Sequence, residues 1–386
     1  MLNLAVVTTN TAAWDGIRQM TTETEIFDIV FRGSTKELHP RAIIGALRTH
    51  DPDLILLDVS DWASVAPVAN EIEQCDFRGI TVGYRPGWDE VEQARFQEAG
   101  VRYLLREPIS PAEMETLAYE ALHRERGVTN PNILAFLPAK AGGGCSTVAL
   151  HTAAAVAHGL SKRVLLIEGD RRSGVYSIMF NLGNQPGLDH ALKVAHAMTP
   201  VEWQQHIAQI SGFDLLPATP LHRNGMPIWA DYYQLLRYVQ KQYDYLFIDL
   251  PEVVNEATAE VVRAARSIFI VCTPELPSLK MARFRAEELQ ACEIPRERIH
   301  VILNRQERSR RNFQELEKTL ERPIFAVLPN DYANLKAAMT EGRLAMPESP
   351  FTASCEALAR KLEGLPEAMP DRAKFSLLRK LSRIAG

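Results

Sequence analysis

The chain has 386 residues, of which 46% are hydrophobic and 24% are charged, and its formal net charge at pH 7 is −5. This length exceeds what one hydrophobic core usually organises, so two domains are expected. The slightly acidic balance argues against a protein dedicated to nucleic acid. No run approaches the roughly 18–20 apolar residues of a membrane-spanning helix.

The beginning of the sequence and its cysteines indicate the compartment. The opening MLNLAVVTTN has neither a charged segment nor a long apolar one, so it predicts a first β-strand and not a secretory signal peptide. The five cysteines are scattered, odd in number and without metal-binding spacing, which is typical of reduced thiols. We therefore expect a cytoplasmic protein.

Residues 1–125 alternate short apolar runs with helical segments. Strands are predicted in LNLAVVTT, EIFDIVF, DLILLDV, GITVGY and VRYLLRE, with helices such as PRAIIGALRTH and EVEQARFQEAG between them. This alternation indicates a doubly wound parallel sheet.

A polar segment predicts a linker at 126–131, and a second α/β series follows over 132–366. Its strands are predicted in NILAFLPA, KRVLLIEGD, FDLLPATP, YDYLFIDLP, SIFIVCTPE, RIHVILNR and IFAVLPND. Strands this uniformly apolar predict a sheet that is covered on both faces. The expected fold class is α/β with two doubly wound parallel-sheet domains, followed by a tail over 367–386.

The first unit resembles the receiver domain of response regulators, which has a flavodoxin-type fold. PDLILLDVS places Asp58 where the phosphoacceptor ends the third strand, and REPIS follows the fifth. Receivers hold Mg²⁺ with an acidic pair after the first strand, and this chain has Thr8-Thr9 at that place. Receivers also have a lysine before the proline, and this chain has Glu107 there. The resemblance implies a pseudo-receiver used for docking or dimerisation. The alternatives are a surviving phosphorylation switch and a plain strand-end cap at Asp58.

A glycine cluster in NILAFLPAKAGGGCSTVAL lies between a predicted strand and a predicted helix. Glycines let consecutive N–H groups converge on an anion, and the positive end of the helix adds to this attraction. Gly144 and Ser146 fit the GxxxxGK[ST] pattern, but Cys145 occupies the lysine position. Taken alone, the segment predicts a phosphate-binding loop no better than a tight turn.

The second unit resembles the MinD/ParA family of deviant Walker ATPases in the order of its motifs. AKAGGGCSTVA resembles the family's deviant Walker A loop, with Lys140 in the place of the signature lysine. RVLLIEGD resembles the second strand, with Glu168 and Asp170 for its two acids. YDYLFIDLP resembles the Walker B strand, with Asp249 at its tip, and VILNR carries Asn304 at the base-contacting position.

This resemblance implies ATP or ADP, with Mg²⁺, as the cofactor. The phosphate-binding residues would be Gly142, Gly143, Gly144, Cys145, Ser146 and Thr147. Lys140 would reach phosphates across a nucleotide-sandwich dimer, Asp170 would position the attacking water, and Asn304 would contact adenine. Ser146 would bind Mg²⁺, and Asp249 would do so through water.

A purely structural role remains an alternative for each of these residues. The alternatives are an exposed lysine at Lys140, a tight turn at the three glycines, a helix N-cap at Ser146, a turn cap at Asp249, an ion pair of Asp170 with the next two arginines, and a strand-end hydrogen bond at Asn304. A neutral thiol at Cys145 cannot stabilise the charge that develops in phosphoryl transfer. Hydrolysis is therefore predicted to be slow or absent.

A degenerate receiver ahead of such a unit resembles the TadZ/CpaE branch of the family, which serves the tight-adherence (Flp, type IVb) pilus machinery. The resemblance implies a homodimer at the cell pole or inner membrane surface that works with the pilus secretion ATPase and other pilus proteins, and binds no specific nucleic acid. The alternatives are an active MinD/ParA-type ATPase for positioning or partitioning and a response-regulator-like signalling protein.

The tail sequence DRAKFSLLRKLSRIAG is basic and amphipathic. At a helical spacing its apolar side chains share one face: Leu377, Leu378, Leu381 and Ile384. Packing of such a helix on the protein's own domain or dimer is expected ahead of peripheral contact with a membrane surface. Disorder is the remaining alternative.

Overall fold

The computed structural model describes residues 1–75, 77, 79–125, 130–172, 174–183, 185–218, 227–307 and 313–365. The chain divides into two compact units, one of Met1–Val128 with Lys193–Ala197 and the other of Thr129–Leu192 with Met198–Gly386. Most of the predicted linker, and the whole predicted tail at 367–386, lie outside the described residues. Within the described part, no helix is long and apolar enough to cross a membrane.

The first unit is built on a five-stranded parallel sheet with the strand order β2-β1-β3-β4-β5. Its strands are β1 (Leu2–Val7), β2 (Phe27–Gly33), β3 (Leu54–Asp58), β4 (Ile80–Arg85) and β5 (Tyr103–Arg106). Its helices are α1 (Thr11–Thr24), α2 (Pro40–His50), α3 (Trp62–Gln74), α4 (Glu90–Glu98) and α5 (Pro111–Glu125). This is the flavodoxin-like order of doubly wound folds.

Local sequence explains where several of these elements begin and how they pack. Strand β3 is buried along its whole length, as expected for a central strand with helices on both faces. Helix α2 starts with Pro40, whose missing N–H is not needed in a first turn. Helix α4 starts with a reciprocal capping box between Asp89 and Glu92.

The second unit is built on an eight-stranded sheet with the order β13-β12-β11-β6-β10-β7-β9-β8. Its strands are β6 (Asn130–Pro138), β7 (Val164–Glu168), β8 (Ala208–Ile210), β9 (Phe213–Leu216), β10 (Tyr245–Asp249), β11 (Ala265–Cys272), β12 (Ile299–Gln306) and β13 (Ile324–Pro329). Its helices are α6 (Cys145–Leu160), α7 (Tyr176–Met179), α8 (Gly187–Val194), α9 (Pro200–His206), α10 (Trp229–Val239), α11 (Glu256–Ala264), α12 (Leu276–Ala291), α13 (Phe313–Leu320), α14 (Tyr332–Thr340) and α15 (Pro350–Leu362).

These two sheets confirm the predicted α/β class with two parallel-sheet domains. Strand β8 was not predicted, and it pairs antiparallel with β9 at the sheet edge. Ser211 and Gly212 between these strands both have a positive φ, which matches the twist of a two-residue hairpin. Three residues are too few to show a strand periodicity in the sequence.

The carboxyl ends of the central strands lie side by side in the second unit. Asp249 at the end of β10 is in register with Glu168 at the end of β7 and with Phe136 in β6. In open parallel sheets, ligands bind outside the carboxyl ends of the strands, where the strand order reverses. A ligand site is therefore expected at this edge of the second sheet.

Candidate functional site

The glycine loop connects β6 to α6 at this edge. Gly142 and Gly144 have φ values of 78° and 85°, a left-handed conformation that favours glycine. The N–H of Gly143 donates to the carbonyl of Lys140 at 3.2 Å, which turns the chain. Because α6 begins at Cys145, the first N–H groups of the helix have no intrahelical partner and face the loop. This is the backbone geometry of an anion site.

A cavity of about 1010 Å³ opens over the loop. Its walls are the loop itself, the segments that follow β7 and β10, the carboxyl ends of β12 and β13, and α14 along its length. It is the size of a site for a small organic ligand, for which roughly 300–1,000 Å³ is usual.

Nearly all the residues predicted to bind nucleotide lie along this one cavity. The predicted residues in its lining are Gly142, Gly143, Gly144, Cys145, Ser146, Thr147, Asp170, Asp249 and Asn304. Lys140 is exposed and lies outside the described lining of the cavity. Any contact of Lys140 with phosphate in a dimer remains a prediction.

The thiol of Cys145 faces away from solvent. The residue is 5% exposed and belongs to the hydrophobic core, and its thiol lies beside the carboxylate of Asp249. Burial first, and then the charge of Asp249, raise the pKa of this thiol well above its usual range. Cys145 is therefore a neutral packing group and supplies no positive charge to the cavity.

The carboxylate of Asp249 is buried and surrounded by hydrogen-bond donors. The hydroxyl of Tyr176 donates to it at 3.1 Å, and the Ser146 hydroxyl and the Cys145 thiol are two further donor groups beside it. Burial raises the pKa of Asp249 to about 6, and these three donors oppose that rise. The group is mostly ionised at neutral pH and lies in contact with the helix that begins at the loop.

Tyr176 is a member of the site that no motif in the sequence indicated. Its side chain is 1% exposed, and its hydroxyl donates to the carbonyl of Ser146 at 2.8 Å as well as toward Asp249. One hydroxyl proton serves two acceptors, so the tyrosine joins the loop helix to the end of β10. The only available signal was general, since a buried tyrosine hydroxyl usually has a partner.

Glu168 supports the backbone beneath the cavity. Its two carboxylate oxygens accept the N–H groups of Tyr176 and Ala218, both at 2.8 Å. Burial raises the pKa of Glu168 to about 7, and the two backbone hydrogen bonds oppose this rise. This carboxylate thus fixes the segment after β7.

Asp170 and its two following arginines share the segment after β7. Oδ1 of Asp170 accepts the backbone N–H of Arg172 at 3.1 Å, and the guanidinium of Arg171 pairs with Asp189. Both Asp170 and Arg171 line the cavity. The catalytic role of Asp170 remains a prediction.

Asn304 contacts the glycine loop directly. Its Nδ2 donates to the carbonyl of Gly143 at 2.9 Å. Its Oδ1 is buried and has no hydrogen-bond partner among the described residues. The carboxamide therefore holds the loop through Nδ2, while its other polar atom is buried.

The carboxyl edge of the first unit brings together Asp58, Thr8 and Glu107. Asp58 is buried; its Oδ2 accepts the Thr8 hydroxyl at 2.9 Å and its Oδ1 accepts the N–H of Ser60 at 3.1 Å. Burial, and then the charge of Asp58, raise the pKa of Glu107. Across the described part of the chain, no group of three or more acidic, histidine or cysteine side chains could hold a metal ion.

No protein-family profile matches the chain. It is 25% identical over 240 residues to the septum site-determining protein MinD of Thermotoga maritima, which is 60% of this chain and 88% of that protein. Its fold is similar to that of a ParA family ATPase from Chlorobium tepidum TLS, with a TM-score of 0.55 and 22% identity, over 60% of this chain and 99% of that one.

A second solved structure with a similar fold is MinD of Pyrococcus horikoshii OT3 in complex with Mg-ADP. The TM-score is 0.50 at 20% identity, over 60% of this chain and 96% of that one. At this identity the two solved structures show a similar fold and nothing more. The chain is thus similar in sequence to a bacterial MinD protein and in fold to ParA and MinD ATPases.

Proposed function

We propose that the second unit binds ATP or ADP at the glycine loop and hydrolyses ATP slowly or not at all. The observation that carries this proposal is the left-handed glycine loop that leads into the N-terminus of α6 beneath an open cavity. Backbone N–H groups and the helix end attract phosphate without any side-chain charge. Asn304, which lines the cavity, would contact the base, as the family resemblance implies.

The residues present also fit Mg²⁺. Ser146 and Asp249 both line the cavity, and the Ser146 hydroxyl lies close enough to the Asp249 carboxylate to lower its pKa. Hydroxyl, carboxylate and water oxygens are the ligands that Mg²⁺ prefers. When bound beside a nucleotide, the ion neutralises charge on the phosphate oxygens.

Slow hydrolysis follows from the place of Cys145. A lysine there would stabilise the phosphates as the bond breaks, and the buried thiol of Cys145 has neither the charge nor the reach. Losing a contact of this kind commonly reduces the rate by a factor of about 10²–10³.

Calorimetric titration with ATP and ADP, with and without Mg²⁺, is expected to show binding of both nucleotides, while phosphate release stays near background. Ser146→Ala is the matched variant, because it removes a metal-binding oxygen and leaves the loop backbone intact. It is expected to weaken binding about tenfold with Mg²⁺ and little without it. Absence of binding at millimolar nucleotide would refute the proposal, and turnover at the rate of an ordinary family ATPase would refute slow hydrolysis.

We further propose that the protein is a cytoplasmic, homodimeric assembly factor for a tight-adherence pilus that works with the secretion ATPase at the cell pole. The sequence resemblance to the TadZ/CpaE branch supports this finer assignment. So does the order of the units, in which a flavodoxin-type sheet precedes the MinD/ParA-like unit. The first unit would act as a pseudo-receiver for docking, and the basic tail would contact the membrane surface.

A fluorescent fusion in a pilus-forming bacterium is expected to form polar foci that coincide with the secretion ATPase. Asp58→Ala should leave the foci unchanged, because a pseudo-receiver does not depend on phosphorylation.

Truncation after Pro370 should reduce co-sedimentation of the purified protein with anionic liposomes. Diffuse fluorescence would exclude the polar role, loss of foci in Asp58→Ala would exclude the pseudo-receiver, and equal sedimentation would exclude membrane contact by the tail.

A further inference from the structure

A carboxylate from a neighbouring strand end holds the beginning of the glycine loop. Oε2 of Glu252 accepts the backbone N–H of Ala141 at 2.9 Å. Oε1 of the same side chain lies 3.6 Å from a guanidinium nitrogen of Arg285 on α12. The Glu252 side chain is 35% exposed and lines the cavity, so a ligand in the cavity can reach it.

This carboxylate occupies a donor that a phosphate could use. The N–H groups of a glycine loop donate hydrogen bonds to anions. One of them, the N–H of Ala141, is already bound to the carboxylate of Glu252. At the other end of the loop, the first N–H groups of α6 have no intrahelical partner, so they can receive the first two phosphates of a nucleotide. With two phosphates at that end, a third phosphate would extend toward the beginning of the loop, where Glu252 holds the N–H of Ala141.

The charges around the cavity give a third phosphate little compensation. The described lining has four basic side chains, those of Arg171, Arg172, Arg305 and Lys336. It also has four carboxylates, those of Asp170, Asp249, Glu252 and Asp331. Arg171 is paired with Asp189. The lysine that reaches the β- and γ-phosphates in the usual motif is replaced by the neutral Cys145.

We infer that Glu252 determines the phosphate specificity of the site and makes it favour a nucleoside diphosphate over a triphosphate. The inference rests on the proposed nucleotide-binding function. A diphosphate uses the α6 end of the loop and leaves the bond between Glu252 and Ala141 intact. A triphosphate must break that bond and bring its terminal charge against a carboxylate, which lowers its affinity.

The test compares ADP with AMPPNP, a triphosphate analogue that resists hydrolysis, by calorimetry on the full chain at fixed salt. The wild type is expected to bind ADP about tenfold more tightly than AMPPNP, because one screened charge repulsion separates the two ligands. Glu252→Gln keeps the size of the side chain and removes its charge. In this variant the two affinities are expected to become about equal, mainly through tighter binding of AMPPNP.

Glu256→Gln is the matched control, since it removes an exposed carboxylate four residues away that does not line the cavity. It should keep the wild-type ratio. An unchanged ratio in Glu252→Gln, with both nucleotides bound, would overturn the inference and leave the proposed function standing. An equal change in both variants would also overturn it. If the wild type bound neither nucleotide, the proposed function itself would fail, and Glu252→Ala replaces the glutamine variant if the latter does not fold.

Discussion

Gly144→Ala is expected to abolish measurable nucleotide binding and to lower the free energy of unfolding by about 2 kcal/mol or more. The φ of Gly144 is 85°, where a Cβ is strained, and that Cβ would lie 2.5 Å from Nδ2 of Asn304. The side chain of Asn304 is buried and bonded to the carbonyl of Gly143, so it cannot move without losing that bond. Calorimetry with ADP and chemical denaturation measure the two effects.

Gly142→Ala separates backbone strain from collision. The φ of Gly142 is 78°, but a Cβ there would meet nothing within 4 Å. This variant should therefore show the cost of strain alone, about 1–2 kcal/mol of stability, and should retain weakened binding. Adding Asn304→Ala to Gly144→Ala should restore part of the lost stability by removing the collision. Equal losses in the two glycine variants would contradict the close approach of Asn304 to the loop.

The fold could be predicted because both sheets are built mainly from strands that are apolar over four or more residues. Buried parallel strands such as β3 and β10 produce such runs directly. Strand β8 has three residues and joins β9 through a two-residue turn to form a hairpin at the sheet edge. The sequence of β8 contains no apolar run of this kind. An edge hairpin of this length depends on pairing with β9, which is a tertiary effect.

Motif order located the cavity, but the contacts beneath it could not be predicted. Tyr176 belongs to a helix of four residues, and nothing in its local sequence points to Asp249, which is 73 residues away. Glu168 could be identified as a substituted acid, but its two backbone partners could not be named. Similarly, the bond between Glu252 and Ala141 joins residues 111 positions apart in the chain. Side-chain contacts between different strand ends follow from packing, and only the strand ends themselves can be read from the sequence.

Between pH 4.5 and pH 8, the free energy of unfolding of Glu168→Gln is expected to rise by about 3 kcal/mol relative to that of the wild type. Burial raises the folded-state pKa of Glu168 to about 7, above an ordinary value of 4.5. The unfolded chain therefore loses this proton first as the pH rises. The contribution of protonated Glu168 to the stability of the wild type is fully present below pH 4.5, declines as the pH rises and is lost above pH 7. Urea denaturation of both proteins across this range measures the difference.

The difference between the two pH profiles is informative even though glutamine also changes a contact. Its amide oxygen can accept one backbone N–H, and its NH₂ group cannot replace the second acceptor, so either the N–H of Tyr176 or that of Ala218 loses its bond. That loss is the same at every pH and only offsets the curve. The variant should be the less stable protein at pH 4.5 and should gain relative to wild type as the pH rises. Asp249, with its own raised pKa, titrates in both proteins and largely cancels in the comparison. Parallel curves for the two proteins would mean that the two backbone donors outweigh burial and keep Glu168 ionised throughout this pH range.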